Sequence, residues 1–149
     1  MELDKVISNS HFVKESFKKK DFHIPIGVFD NDTLSALEAI VKYLKEKQKL
    51  KFSDIARILK RSNKTIWGTY NNAIKKMRPY FGEIPRDIMI PASLFANRSF
   101  STLECLVGFL KDLRYSNHEI AEMLHLDDRT IWTVYDRTKR KMYIKTKKW

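Results

Sequence analysis

Residues 24–77 of this 149-residue chain return, altered but legible, as residues 90–142. Ile24-Pro25 comes back as Ile90-Pro91, Phe29 as Phe95, and Ser35-Ala36-Leu37-Glu38 as Ser101-Thr102-Leu103-Glu104. After a slip of one residue, Ile55-Ala56 returns as Ile120-Ala121, Thr65-Ile66-Trp67 as Thr130-Ile131-Trp132, and Lys76-Met77 as Lys141-Met142. Whatever this chain folds into, it does so twice. The unit is also small, near the lower limit for burying an adequate core, so the two copies are expected to lean on each other.

The periodicity inside each copy is helical. Ser35 and Glu38 stand three apart, as do Ser101 and Glu104, the spacing of a capping box that opens a helix. Leu37, Ile40, Val41 and Leu44, matched by Leu103, Leu106, Val107 and Leu110, then fall on one face. A second helix carries Ile55, Ala56 and Leu59, matched by Ile120, Ala121 and Leu124, with a further capping box at Ser116 and Glu119. A third carries Ile66, Tyr70, Ala73 and Met77, matched by Ile131, Tyr135, Thr138 and Met142. Four Gly and four Pro in the whole chain leave little room for tight turns. The expected fold is all-α, two tandem trihelical units from an internal duplication. Residues 1–23 form an N-terminal arm or short helix, 24–78 the first unit and 79–89 a linker holding Pro79, Gly82 and Pro85. Residues 90–143 form the second unit and 144–149 a basic tail. Each Ile-Pro segment is expected to be extended, because the residue before proline avoids the helical region.

Charge narrows the partner. The formal net charge is +11, and both halves are basic: residues 1–77 hold 16 Lys and Arg against 9 Asp and Glu, residues 78–149 hold 13 against 9. That excess favours a polyanion, most often nucleic acid; a Lys-rich composition that keeps the protein soluble is the plain alternative. Cys105, the single cysteine, excludes an intramolecular disulfide and a cysteine-rich zinc site. It occupies the place of Ala39 in the first copy and reads as a core residue. No apolar stretch approaches the roughly 20 residues needed to span a bilayer, so a cytoplasmic location and no membrane partner are expected.

Two short helices, a brief turn and a third helix make a helix-turn-helix. Ala56 and Ala121 sit where the second and third helices cross closely, leaving one face of the third helix free for the DNA major groove. The run Glu119-Ile120-Ala121-Glu122-Met123-Leu124, then His125-Leu126-Asp127-Asp128-Arg129-Thr130-Ile131 and Tyr135, resembles the helix-turn-helix of sigma-factor region 4 and LuxR-type regulators. Asp54-Ile55-Ala56-Arg57-Ile58-Leu59 through Thr65-Ile66 and Tyr70 fits the same frame. The resemblance covers about 50 residues of each copy. Nothing in the chain resembles the sigma-factor region that melts DNA. The chain departs from the family at three places. Lys60 and His125 stand where glycine usually makes the turn, which implies positive φ at a cost of order 1 kcal/mol. Arg61 replaces an apolar residue that Leu126 keeps. Trp67 and Trp132 occupy positions that normally face DNA.

That resemblance implies groove-facing positions Ser62, Asn63, Lys64, Trp67, Gly68 and Asn71 in the first copy and Asp127, Asp128, Arg129, Trp132, Thr133 and Asp136 in the second. Lys75, Arg137 and Arg140 are further candidates for nucleic-acid contact. Lys64 and Arg129 correspond; an arginine that is bidentate to guanine is worth about 1–3 kcal/mol of discrimination. Ser62 and Asp127 are read first as caps of the third helix. The tryptophans have two readings, contact with thymine methyls or a seal on the protein's own packing, and the seal is favoured. Asp128 and Asp136 argue against close phosphate approach, so the first copy is the better reading head. The basic run Lys139, Arg140, Lys141, Lys145, Lys147 and Lys148 follows the phosphate backbone, or merely suits the negative end of the last helix.

The expected function is sequence-specific binding of double-stranded DNA by a transcriptional regulator. Its two unequal heads act as a covalent pseudo-dimer, set roughly 34 Å apart on successive major grooves of an imperfect repeat. The alternatives are a protein-interaction unit that docks on an RNA polymerase subunit or a second copy of the chain, and structured-RNA binding. No enzyme is expected. His11, His23, His118 and His125 are scattered without metal-ligand spacing, no Gly-rich phosphate loop is present, and no cofactor, metal or small-molecule substrate is implied.

Overall fold

The computed structural model describes residues 21–147. Among these the chain is mostly helical, with six α-helices and one small two-stranded sheet. The two halves run through the same element order. The first holds β1 (His23–Pro25), a 3₁₀ helix (Ile26–Phe29), α1 (Ala36–Glu46), α2 (Phe52–Leu59) and α3 (Asn63–Lys76). The second holds β2 (Met89–Pro91), a 3₁₀ helix (Ala92–Ala96), α4 (Thr102–Asp112), α5 (Asn117–Leu124) and α6 (Asp128–Lys147). The arm expected over residues 1–23 lies outside the described residues up to residue 20. The expected boundary at residue 143 does not appear, because α6, with no proline or glycine to stop it, continues through residues 144–147 of the presumed tail.

Local chemistry sets the helix ends. All three capping boxes are formed: Ser35, Ser101 and Ser116 each accept from the amide of Glu38, Glu104 and Glu119, whose carboxylates accept from the serine amides. These bonds satisfy amides that a helix start leaves without intrahelical partners. At the other ends the backbone turns left-handed at Lys60 (φ 52°) and His125 (φ 57°). There the amides of Arg61 and Leu126 reach back to the carbonyls of Ala56 and Ala121, each at 2.9 Å. Lys49 and Arg114 make the corresponding turns after α1 and α4. All four are side-chain-bearing residues in a region that costs them about 1–2 kcal/mol each.

The fold is not purely helical, and the exception organises the molecule. The two Ile-Pro segments are extended as expected, and they pair with each other, antiparallel, with Ile24 opposite Ile90. Flanking bonds extend the pairing: Ile26 N–H donates to Ile88 O at 2.9 Å, and Ala92 N–H donates to Phe22 O at 2.7 Å. Each half then packs onto the other. Helix α2 lies on the 3₁₀ helix of the second half and α5 on that of the first, while α1 meets α4. Phe29 and Phe95, one from each 3₁₀ helix, stand 6.4 Å apart between ring centres. Ile24, Ile40, Leu44, Ile55, Ile66, Ile90, Phe95, Leu106, Leu110, Ile120 and Ile131 belong to a single buried cluster. Cys105 is buried within it, as its position opposite Ala39 suggests.

Residues 79–89 do not behave as a free linker. Phe81, Ile84 and Ile88 pack against the core, and a Cβ placed on Gly27 would meet Ile84 Cγ2 at 2.6 Å. The segment is also held by a buried cation. Lys42 is fully buried; its ammonium donates to Glu46 Oε1 at 2.5 Å and to Pro79 O at 2.8 Å, and lies 4.8 Å from the centre of the Phe81 ring. Tyr70 of α3 donates to the other Glu46 oxygen at 3.1 Å. Burial, reinforced by the Glu46 charge, pushes the Tyr70 hydroxyl up to about 12. The second half has Gly108 and Asp112 in place of Lys42 and Glu46 and lacks this arrangement.

The turns between the last two helices of each half are anchored differently. The Arg61 guanidinium crosses to the second half, donating to Phe95 O at 2.9 Å and Thr102 Oγ1 at 3.3 Å as well as to Leu59 O at 2.7 Å. Arg98 returns the contact by donating to Lys60 O at 3.0 Å. At the corresponding place under the second turn, Leu126 and Ala36 replace Arg61 and Thr102, and an open groove of about 470 Å³ remains beside Phe29, Leu34, Leu37 and Leu103. There His125 stands 3.5 Å from Asp30 and 3.9 Å from Asp32. Arg61→Leu should therefore cost about 2–3 kcal/mol, since it strands two carbonyls that accept from a charged donor. A denaturant midpoint shift equivalent to less than about 0.5 kcal/mol would show that the guanidinium is not a clamp.

Candidate nucleic-acid interface

Helices α3 and α6 each bury one side and expose the other. Ile66 and Ala73 on α3 and Ile131, Val134 and Thr138 on α6 are buried, with Tyr70 and Tyr135 packed against the same core. Each helix starts from a filled cap: Ser62 Oγ accepts from Thr65 N–H at 3.1 Å, and Asp127 Oδ1 from Thr130 N–H at 2.7 Å. These are the caps read from the sequence.

On α3, Asn63, Lys64 and Lys75 are exposed, Gly68 and Asn71 are half-buried, and Trp67 is 59% exposed. Positions 64, 67 and 68, 71 and 75 recur at helical spacing along one strip. Nothing lies within 4 Å of a Cβ built on Gly68, so this part of the helix faces open space. Asn71 Nδ2 donates to Trp67 O at 2.8 Å. No acidic side chain occurs from Ser62 to Met77.

On α6, Arg129, Trp132, Thr133 and Arg140 are exposed, Trp132 at 60%. The seal expected of the two tryptophans is overturned. Ile66 and Ile131, one residue earlier, take the buried side, and a one-residue step turns a helical side chain by about 100°. Arg137 is exposed as well, and its Nε lies 2.7 Å from Glu104 Oε2 on α4. Lys141 Nζ reaches Glu104 Oε1 at 2.6 Å, and Lys76 makes the matching contact to Glu38 at 2.9 Å in the first half.

The acids on this side are partnered. Arg140 Nε lies 3.0 Å from Asp136. His118, at the start of α5, reaches Asp128 with Nδ1 at 3.1 Å and Glu122 with Nε2 at 3.0 Å. The hydrogen bond to Asp128, and the Asp128 and Glu122 charges, hold the imidazole pKa above its ordinary value. Sequence reading missed His118 because its partner Asp128 lies ten residues away on another helix. It missed the Glu104 hub because the carboxylate was already assigned to a capping box. Among the described residues, no group of three or more His, Cys, Asp or Glu is placed to hold a metal ion, and no helix is long and apolar enough to cross a membrane.

No protein-family model matches the chain, and comparison with curated proteins and with solved structures gives no match.

Two titrations follow from this geometry. Burial pushes the Glu104 carboxyl up, but Lys141, the Ser101 amide and Arg137 outweigh it and bring it down to about 2. Its contribution to stability is thus present above the unfolded value near 4.5 and is lost as pH falls through about 2. Glu104→Gln should cost about 2 kcal/mol at neutral pH, after discounting for its half-exposed partners, and the gap to the parent should close in acid; a gap unchanged by pH would contradict the assignment. His118 runs the other way: its stabilising pair is intact below about 6.5 and is lost as pH rises through its elevated folded value. NMR titration should place its midpoint above that of an unstructured histidine, and Asp128→Asn should lower it. An unmoved midpoint in that variant would remove Asp128 as the partner.

Proposed function

We propose that the chain is a tandem pair of helix-turn-helix units derived by internal duplication, and that it binds double-stranded DNA sequence-specifically as a cytoplasmic transcriptional regulator. One observation carries this reading. At equivalent places on α3 and α6, a cation (Lys64, Arg129) and a tryptophan (Trp67, Trp132) stand outward, one residue from isoleucines buried to 0%. A large aromatic exposed at the same place in both halves is apolar surface that a partner can cover. A capped helix start also presents amides that suit a phosphate. On this reading Lys64 and Arg129 meet a phosphate or a base edge, Trp67 and Trp132 thymine methyls or sugar edges, and Asn63, Asn71, Thr133, Lys75, Arg137 and Arg140 make flanking contacts. Gly68 lets the first helix lie close to the groove floor. The net charge of +11 supplies long-range attraction.

The second reading is favoured by the acids of the second half. Asp127, Asp128, Glu122 and Asp136 surround Trp132 in sequence, and a surface of that kind suits a protein partner, such as a polymerase subunit or a second copy of the chain. On this view only α3 enters a groove. A structured RNA is the remaining polyanion, distinguished by direct competition with duplex DNA.

Affinity for a duplex selected from random sequence should fall steeply with salt. Lys64→Ala should weaken it roughly tenfold and lower the slope of log affinity against log salt by about 1. Arg129→Ala should weaken it less. Fluorescence anisotropy on a labelled duplex reads both effects, and equal affinity of all three proteins at every salt concentration would remove α3 and α6 as the reading helices.

A further inference from the structure

Two copies that follow one another in sequence suggest a target of two half-sites in the same orientation. The fold points elsewhere. We infer that the duplex target is dyad-symmetric, with its half-sites on opposite strands, a conclusion that rests on the DNA-binding reading above.

The rotation relating the halves is written in the strand pairing. An offset of 66 residues equates His23 with Met89, Ile24 with Ile90 and Pro25 with Pro91. The observed pairs are His23 with Pro91, Ile24 with Ile90 and Pro25 with Met89. Exchanging the halves maps this set onto itself, which only a two-fold axis through the Ile24–Ile90 pair can do. The bonds outside the strands obey the same rule. Ile26 N–H to Ile88 O becomes Ala92 N–H to Phe22 O under the exchange, and both are present. So does the packing: α2 on the second 3₁₀ helix mirrors α5 on the first, and α1 against α4 and Phe29 against Phe95 are self-matched contacts. This is the isologous arrangement of a two-fold dimer, built within one chain.

The consequence for DNA is geometric. The strands of a duplex run in opposite directions, so the duplex has its own dyad axes, and the symmetry of an operator mirrors that of the protein on it. Two helices related by a two-fold axis that points at the duplex meet the two strands in opposite sense. A direct repeat would show the second head its half-site with reversed polarity. The symmetry is imperfect in a defined way. Residues 62–67 read Ser-Asn-Lys-Thr-Ile-Trp and residues 127–132 read Asp-Asp-Arg-Thr-Ile-Trp. The half-sites are thus expected to agree beneath the tryptophans and to differ beneath positions 63 and 64 against 128 and 129, where Asp128 is also engaged by His118.

The test uses the full chain and duplexes carrying the selected half-site singly or twice, in inverted, everted and direct order over a series of spacings, by anisotropy at about 150 mM salt. The best dyad-symmetric duplex should bind at least tenfold more tightly than the best direct repeat and than the single half-site. A direct repeat that binds as well, or a single half-site that binds as well as any pair, overturns the dyad while leaving DNA binding standing. Failure of every duplex to exceed non-specific DNA removes the underlying reading, and the dyad with it. Asp127→Ser, Asp128→Asn and Arg129→Lys together make the two six-residue stretches identical. Site selection with that variant should return a more perfect palindrome than the parent does; a site equally asymmetric overturns the assignment of half-sites to heads.

Discussion

The pairing of Ile24 with Ile90 is the contact on which the rest of this molecule stands. A unit of 50–60 residues buries too little surface to be comfortable alone, and here neither half attempts it. Each lends its extended segment and 3₁₀ helix to the other, so that α2 rests on the second half and α5 on the first. The two triplets of helices share a single core, and their mutual geometry is fixed by that core.

Within this symmetric frame the electrostatics diverge. The first turn is pinned across the interface by Arg61 and Arg98, while the second has a leucine, an open groove and a histidine near two aspartates. The outward strip of α3 carries no acid, whereas α6 carries Asp128 and Asp136, which meet His118 and Arg140. A frame that keeps two helices equivalent while their surfaces drift apart suits the proposed pair of unequal heads.

What was legible in the sequence was local. Three capping boxes, two left-handed turns at Lys60 and His125 and the buried alanines at Ala56 and Ala121 depend on residues a few positions apart, and spacing reveals them. What involves distant residues was not legible. The Ile-Pro segments read as extended, but nothing in the sequence of either half says that it pairs with the other, so the sheet was missed. Lys42 and Glu46 have the spacing of an ordinary surface ion pair, yet both are buried because residues 79–81 fold over them. For the tryptophans the seal was the favoured reading because a large aromatic at the same place in both halves looks like packing, although Ile66 takes the buried side. Arg137 looked like one more cation of a basic helix until α4 supplied its carboxylate.

The grip of Lys42 on the Pro79 carbonyl makes the stretch between the halves a strap rather than a tether. In a protein whose domains hang on a string, the string's length sets how far apart they range. Here the distance between α3 and α6 is gauged by the core, as the jaws of a caliper are by its beam. Residues added around Gly82 would bulge outward and leave that gauge unchanged, whereas a single enlarged side chain at Ile24 or Ile90 would reset it.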